Sequence, residues 1–200
     1  MMNIVLIGFA SCGKSAAAAA LSGRTGLACV DLDRVIEERY ERTHGRRVPC
    51  REIFRSAGAD GFAALENDAL SSLSDMRESI LSTGGRTPML EENRPLLKSL
   101  GRVVYLRCGV GTVLERMRGK GIPVSMGSST EGAAAEWSRR APVYAEVADV
   151  VIDNDTLTPE ETAEAIAEKL QIQVPLLNVI PAPSGGRAAA VMSPGGTDII

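Results

Sequence analysis

A glycine-rich stretch near the start of the chain carries the residues best suited to chemistry. The segment GFASCGKS, residues 8–15, follows the pattern G-x-x-x-x-G-K-S and ends with Gly13, Lys14 and Ser15. Glycines let backbone N–H groups point at phosphate oxygens, and the start of a helix adds partial positive charge. A lysine at this spacing neutralises the β- and γ-phosphates, and the hydroxyl after it ligates Mg²⁺. The segment therefore predicts a site for a nucleoside triphosphate.

Two aspartates follow the second apolar run of the chain, where a strand is expected to end. They are Asp31 and Asp33, in the sequence DLD. Strand ends in open α/β sheets border the ligand crevice. We expect one of the two carboxylates to approach Mg²⁺ and the other to face a second substrate; a solvated acidic turn is the alternative interpretation.

The elements that would position these residues alternate along the chain. Short runs rich in Val, Ile and Leu, typical of strands buried on both faces, occupy residues 3–7, 27–31, 79–83, 102–106 and 149–153. Helix-like stretches lie between them, at 14–21, 32–42, 60–73, 111–119 and 158–170. The last is expected to begin with Thr158 as N-cap and Pro159 in the first helical position. Strands alternating with helices predict a mostly parallel sheet covered on both sides.

Composition excludes several classes of function. The net charge of −3 argues against broad nucleic-acid binding, which needs a basic surface. The 4 cysteines form no CxxC pair, which disfavours a zinc site and fits a reducing cytoplasm. No run approaches the ~20 apolar residues of a membrane span, so we expect a cytoplasmic protein without a membrane partner.

Several motifs together resemble the shikimate kinases, over about residues 3–170. They are the phosphate loop at 8–15, DLD at 31–33, REIFRSAGADGFAALE at 51–66, TGG at 83–85, RAPVY at 140–144 and ADVVI at 148–152. The resemblance implies a three-layer α/β P-loop kinase fold with a five-stranded parallel sheet in the order 2-3-1-4-5. It also implies a kinase domain at 1–171, with a substrate-binding segment at 32–73 and a lid at 119–132. Residues 172–200 are expected to form a flexible tail.

The resemblance also implies roles for individual residues. ATP, the co-substrate, would contact Gly8, Ala10, Ser11, Cys12, Gly13, Lys14, Ser15, Ala16, Arg116 and Pro159, the last two around adenine. Mg²⁺ would be held by Ser15 and Asp31. Catalysis would rest on Lys14 and Asp33, and the substrate would contact Asp33, Gly84, Gly85, Arg86 and Arg140. The implied activity is ATP-dependent phosphorylation of shikimate, carried out by a monomer.

Three departures from the family pattern concern the acceptor and the lid. Ala63 and Ile122 stand where the family has arginines, and Arg86 stands where it has a third glycine. Arg86 is interpreted as a substitute for the missing carboxylate contact, as an outward-pointing side chain, or as a contact to a different substrate. The departures keep two other functions open: a kinase for another small hydroxy acid or polyol, and a degenerate ATP-binding regulatory protein.

Overall fold

The computed structural model describes residues 2–118 and 129–172 and contains five strands. The strands are β1 (Ile4–Ile7), β2 (Ala28–Asp31), β3 (Ser79–Ser82), β4 (Arg102–Arg107) and β5 (Val150–Asp153). They form one sheet in the order β2-β3-β1-β4-β5, and every pairing is parallel. The predicted strands and their order are confirmed.

The central strands are buried as their composition predicts. All four residues of β1 are buried, as are all four of β3, because helices cover both faces of the sheet. The edge strand β2 remains partly exposed. The expected three-layer α/β fold is confirmed.

Three of the helices that connect the strands, those beginning at Lys14, Leu32 and Cys50, are longer than the apolar periodicity indicates. They are α1 (Lys14–Thr25), α2 (Leu32–His44), α3 (Cys50–Ser71), α4 (Asn93–Leu100), α5 (Val110–Arg118), α6 (Thr130–Val147) and α7 (Pro159–Lys169). At Gly58 the backbone of α3 turns to φ 72°, a conformation that favours glycine, and the helix is interrupted there. The start of α7 is as predicted, with a capping box between Thr158 and Glu161.

Parallel strands bring their carboxyl ends to one edge of the sheet, and the predicted site residues lie at that edge. The phosphate loop follows β1, Asp31 ends β2, and the TGG segment follows β3. Most of the predicted lid, including Ile122, and nearly all of the predicted tail lie outside the described residues; Thr130–Gly132 belong to α6. None of the helices in residues 2–118 and 129–172 is long and apolar enough to cross a bilayer.

Candidate active site

The phosphate loop between β1 and α1 has the backbone geometry of an anion cradle. Gly8, Ser11 and Gly13 all have positive φ, at 145°, 61° and 101°. A Cβ atom at Gly8 would lie 2.7 Å from the carbonyl oxygen of Leu106, so only glycine fits there. Gly13 precedes α1 and provides no side-chain cap, which leaves the first N–H groups of the helix available to phosphate oxygens.

Lys14 folds back over this loop. Its Nζ atom donates hydrogen bonds to the carbonyl oxygens of Gly8 and Phe9, both at 2.9 Å, and the side chain is buried. These bonds hold a positive charge inside the cradle before any ligand arrives. A charge fixed in this way needs little reorganisation when phosphate binds.

The two predicted metal ligands lie side by side at the end of the loop. Ser15 Oγ donates to Asp31 Oδ2 at 3.5 Å and lies 3.4 Å from Ser82 Oγ. No group of three or more His, Cys, Asp or Glu side chains that could hold a metal ion is found in residues 2–118 and 129–172. Mg²⁺ commonly takes one or two protein oxygens and completes its shell with phosphates and water. A hydroxyl beside a carboxylate fits that requirement, and the assignment of Ser15 and Asp31 to Mg²⁺ stays a prediction.

The segment after β5 holds the far side of the phosphate loop. Asn154 Nδ2 donates to the carbonyl oxygen of Cys12 at 2.7 Å, and its Oδ1 accepts from the hydroxyl of Thr162. Arg116 Nη2 donates to the carbonyl oxygens of Asn154 and Asp155 at 3.1 and 2.9 Å. Pro159 begins α7, a few residues further along. Arg116 and Pro159 therefore flank one loop, and their contact with adenine stays a prediction.

The acceptor side of the site gathers two carboxyl groups around the TGG segment. A Cβ atom at Gly84 would lie 3.2 Å from Glu66 Oε1 and 3.5 Å from Asp33 Oδ1. The side chain of Asp31 faces Ser15, whereas that of Asp33 faces Gly84. The two aspartates therefore point to different parts of the site, as the sequence analysis allowed.

Asp33 is well placed to accept a proton near neutral pH. The residue as a whole is exposed, whereas its carboxyl group is desolvated by surrounding protein atoms. This desolvation, together with the negative charge of Asp31, raises the pKa of Asp33 to about 6, and Lys14 opposes the shift. A general base works best when its pKa lies near the operating pH.

Glu66 is a buried carboxyl group that the sequence analysis did not place in the site. Only 2% of the residue is exposed, and Oε1 accepts a hydrogen bond of 2.5 Å from Thr87 Oγ1. Burial raises the pKa of Glu66 to about 7, with Asp33 adding to the shift and Thr87 and Arg86 opposing it. The spacing of Glu66 after Phe62 was the signal in the sequence that could have identified it.

Glu66→Gln is expected to stabilise the protein above pH 7 by about 3 kcal/mol. The folded-state pKa of Glu66 is raised, so the native state holds a proton that the unfolded state loses near pH 4.5. The free energy of unfolding of the wild type should therefore fall between pH 4.5 and 7. Glutamine removes this cost and still accepts from Thr87. Urea unfolding at pH 5, 6, 7 and 8 measures the free energy of unfolding of both proteins, with the exposed Glu91→Gln as control. The prediction is contradicted if this free energy changes with pH equally in Glu66→Gln and in the wild type.

Arg140 lies at the acceptor side, almost completely enclosed. Only 1% of it is exposed, and its Nη2 lies 2.5 Å from Glu136 Oε2. Its Nη1 is 3.5 Å from the carbonyl oxygen of Gly85, which also accepts a 2.5 Å hydrogen bond from Tyr144. These two α6 side chains hold the backbone of Gly85 against the sheet edge. The contact of Arg140 with a substrate carboxylate stays a prediction.

Arg86 does not point away from the molecule. Its guanidinium carbon lies 5.2 Å from the centre of the Phe54 ring on α3, and the side chain is half-buried.

Trp137 is also half-buried and donates through Nε1 to the carbonyl oxygen of Cys108 at 2.9 Å. This contact fits a packing role for Trp137.

Comparison with known proteins agrees with this arrangement. The family model described as Shikimate kinase matches residues 10–171. The shikimate kinase of Stenotrophomonas maltophilia (strain R551-3) is 34% identical over 173 residues, 86% of this chain and 93% of the relative. That of Bordetella avium (strain 197N) is 35% identical over 172 residues, 85% and 79% of the two chains. The structure of shikimate kinase from Acinetobacter baumannii in complex with shikimate superposes with a TM-score of 0.75 at 29% identity, covering 86% of this chain and 93% of that one.

Proposed function

This chain belongs to the shikimate kinase family, and we propose that it transfers the γ-phosphoryl group of ATP to a hydroxyl of shikimate. The products are shikimate 3-phosphate and ADP. One observation carries the proposal: the acceptor segment packs directly on the phosphate loop. A Cβ atom at Gly85 would lie 3.2 Å from the backbone nitrogen of Ala10. A hydroxyl bound beside Gly84 and Gly85 is therefore next to the terminal phosphate.

The residues divide the work of in-line transfer between the two substrates. The backbone of residues 8–15 and the Lys14 amine bind the phosphates and stabilise the charge that develops on the γ-phosphoryl oxygens. Asp33 accepts a hydrogen bond from the attacking hydroxyl and takes its proton as the oxygen–phosphorus bond forms. The bond between the β–γ bridging oxygen and the γ-phosphorus breaks at the same time, and ADP leaves with the electron pair.

Magnesium is the cofactor that these residues suit. When bound, Mg²⁺ neutralises the phosphate oxygens and orients them for transfer. Ser15 and Asp31 are the residues that would hold it, because their oxygens lie together at the end of the loop. We further propose a monomer in the reducing cytoplasm, since one chain supplies every site residue and all 4 cysteines are free thiols.

A second candidate function is a kinase for another small hydroxy acid or polyol. It is favoured by Ala63, which places no cation on α3 where the resemblance implies an arginine. This candidate shares the nucleotide site and differs in the acceptor alone, so an acceptor panel distinguishes the two. A regulatory ATP-binding protein would bind ATP and phosphorylate no member of the panel.

Shikimate is expected to stimulate ADP release from MgATP, with stoichiometric appearance of shikimate 3-phosphate. The reason is that a bound acceptor replaces water next to the γ-phosphate. A coupled ADP assay and ³¹P NMR of the product measure this, with millimolar shikimate, a panel of hydroxy acids and polyols, and a reaction without acceptor as control. Stimulation by another acceptor alone would support the second candidate, and ATP binding without turnover would support the regulatory protein.

A further inference from the structure

Arg86 is anchored at the junction of the nucleotide and acceptor sides. It follows Gly85, whose carbonyl oxygen accepts a 2.5 Å hydrogen bond from Tyr144 and where a Cβ atom would lie 3.2 Å from the backbone nitrogen of Ala10. It precedes Thr87, which is buried and bonded to Glu66. Both neighbours of Arg86 are therefore fixed, and its backbone has little freedom to carry the side chain elsewhere.

The guanidinium group is directed towards α3 by aromatic packing. It lies over the face of Phe54, 5.2 Å from the ring centre, and Phe54 in turn meets Phe62 edge-on at 5.5 Å. Ala63 comes directly after Phe62 and three residues before Glu66, so it lies on the same side of the helix as Glu66. The Arg86 cation is therefore beside the part of α3 where alanine provides no charge.

The hydrogen-bond donors of Arg86 have no acceptor among the residues that the structure describes. Within residues 2–118 and 129–172, its guanidinium donates no hydrogen bond to another protein group, and it remains half-buried. Arg140 is different, because its Nε and Nη2 atoms are bonded to Glu136 at 2.7 and 2.5 Å. A planar guanidinium that is held by stacking and has free donors suits bidentate binding of a carboxylate.

The charges around Glu66 agree with this placement. Asp33 and Arg86 are the charged groups of the described chain that act on Glu66, the first an anion and the second a cation. Arg86 thus supplies positive charge to a part of the site that otherwise holds two carboxyl groups. A carboxylate ligand bound there without a cation would face repulsion from each of these groups that is ionised.

We propose that Arg86 binds the carboxylate of the acceptor, with Phe54 as the platform that orients its guanidinium. The inference rests on the proposed function in one respect, that the acceptor carries a carboxylate, as shikimate does. It makes Arg86 a specificity-determining residue: a carboxylate is favoured over a neutral group of the same shape. A purely structural Arg86 would not distinguish the two.

Calorimetric titration of the full chain in the presence of MgADP tests this with two probes, shikimate and its primary carboxamide. Arg86→Gly is expected to weaken shikimate binding about 10- to 150-fold, the range for one hydrogen-bonded contact to a charged group. Carboxamide binding should change less than about 3-fold, because the lost interaction is with the charge. Adding Ala63→Arg to Arg86→Gly should restore most of the shikimate affinity, since it returns a cation to the same side of the site.

Arg77→Gly is the matched control, because Arg77 is exposed and donates to the carbonyl oxygens of Ser74 and Met76 before β3, at the opposite edge of the sheet. It should bind shikimate as the wild type does. Thermal melts test whether Arg86→Gly is folded. If Arg86→Gly is not folded, Ala63→Arg in the wild-type background is measured instead. In that variant, a gain in shikimate affinity of less than about 3-fold would indicate that Arg86 already binds the carboxylate.

The outcomes separate this inference from the proposed function. Wild type that binds shikimate through Arg86 but releases no ADP would refute the function and uphold the inference. Turnover of shikimate, with equal shikimate affinity in wild type and Arg86→Gly, would support the function and refute the inference. Equal losses for shikimate and carboxamide, a wild type that does not prefer the acid, or a gain of more than about 3-fold from Ala63→Arg alone would overturn the assignment of Arg86.

Discussion

Lys14→Met is expected to lower the turnover number for phosphoryl transfer by about 10³-fold while the protein stays folded. The Lys14 amine is held in the phosphate loop by two carbonyl oxygens at 2.9 Å, so its charge is in place where the γ-phosphoryl oxygens become more negative. Methionine keeps most of the buried stem and removes the charge. The loss should therefore appear mainly in turnover and in nucleotide affinity, and much less in shikimate affinity.

Lys14→Met is also expected to lower the free energy of unfolding by a small amount. The carbonyl oxygens of Gly8 and Phe9 lose a buried donor, at a cost of about 1–3 kcal/mol, which a domain of this size tolerates. Lys98→Met is the matched control, because Lys98 pairs with Asp149 on the surface and lies far along the chain from the loop. Steady-state kinetics and thermal melts of both variants test the prediction. Near-normal turnover in a folded Lys14→Met protein would refute the assignment of the loop.

Asp33→Asn is expected to lower the turnover number by about 10²- to 10⁴-fold, the usual effect of removing a general base. An amide can still accept a hydrogen bond from the substrate hydroxyl, so shikimate affinity should change little. The effect should lie on the chemical step. Rapid-quench measurement of the first turnover separates that step from product release.

The pH profile provides an independent readout for Asp33. Its pKa is raised to about 6, so the carboxyl group is protonated below that pH and can no longer accept the hydroxyl proton. The wild-type kcat/KM should fall as pH decreases through about 6, and Asp33→Asn should be flat across the same interval. Asp75→Asn removes an exposed carboxylate before β3 and should keep the wild-type profile. A profile for Asp33→Asn that still falls through pH 6 would assign the titration to another group.

The sequence by itself determined the features that depend on neighbouring residues. The phosphate loop is contiguous, so Gly8, Gly13, Lys14 and Ser15 can be recognised from spacing alone. The five strands appear as apolar runs because both their faces are covered, and the start of α7 follows from a cap whose partners are three residues apart. Helices α4 and α6 were not predicted, since their apolar faces are short or interrupted, the latter by Pro142.

Only the tertiary structure decided how the acceptor side is arranged. Arg86 meets Phe54, and Thr87 bonds to Glu66, a residue of a different helix. Such contacts depend on how helices pack on the sheet and on which rotamer each side chain adopts, and neither leaves a periodic signal in the sequence. The same holds for the raised pKa values of Asp33 and Glu66, because desolvation and charge proximity arise when distant segments enclose a group. The phosphate loop is a local structure, whereas the acceptor side exists only once the chain has folded.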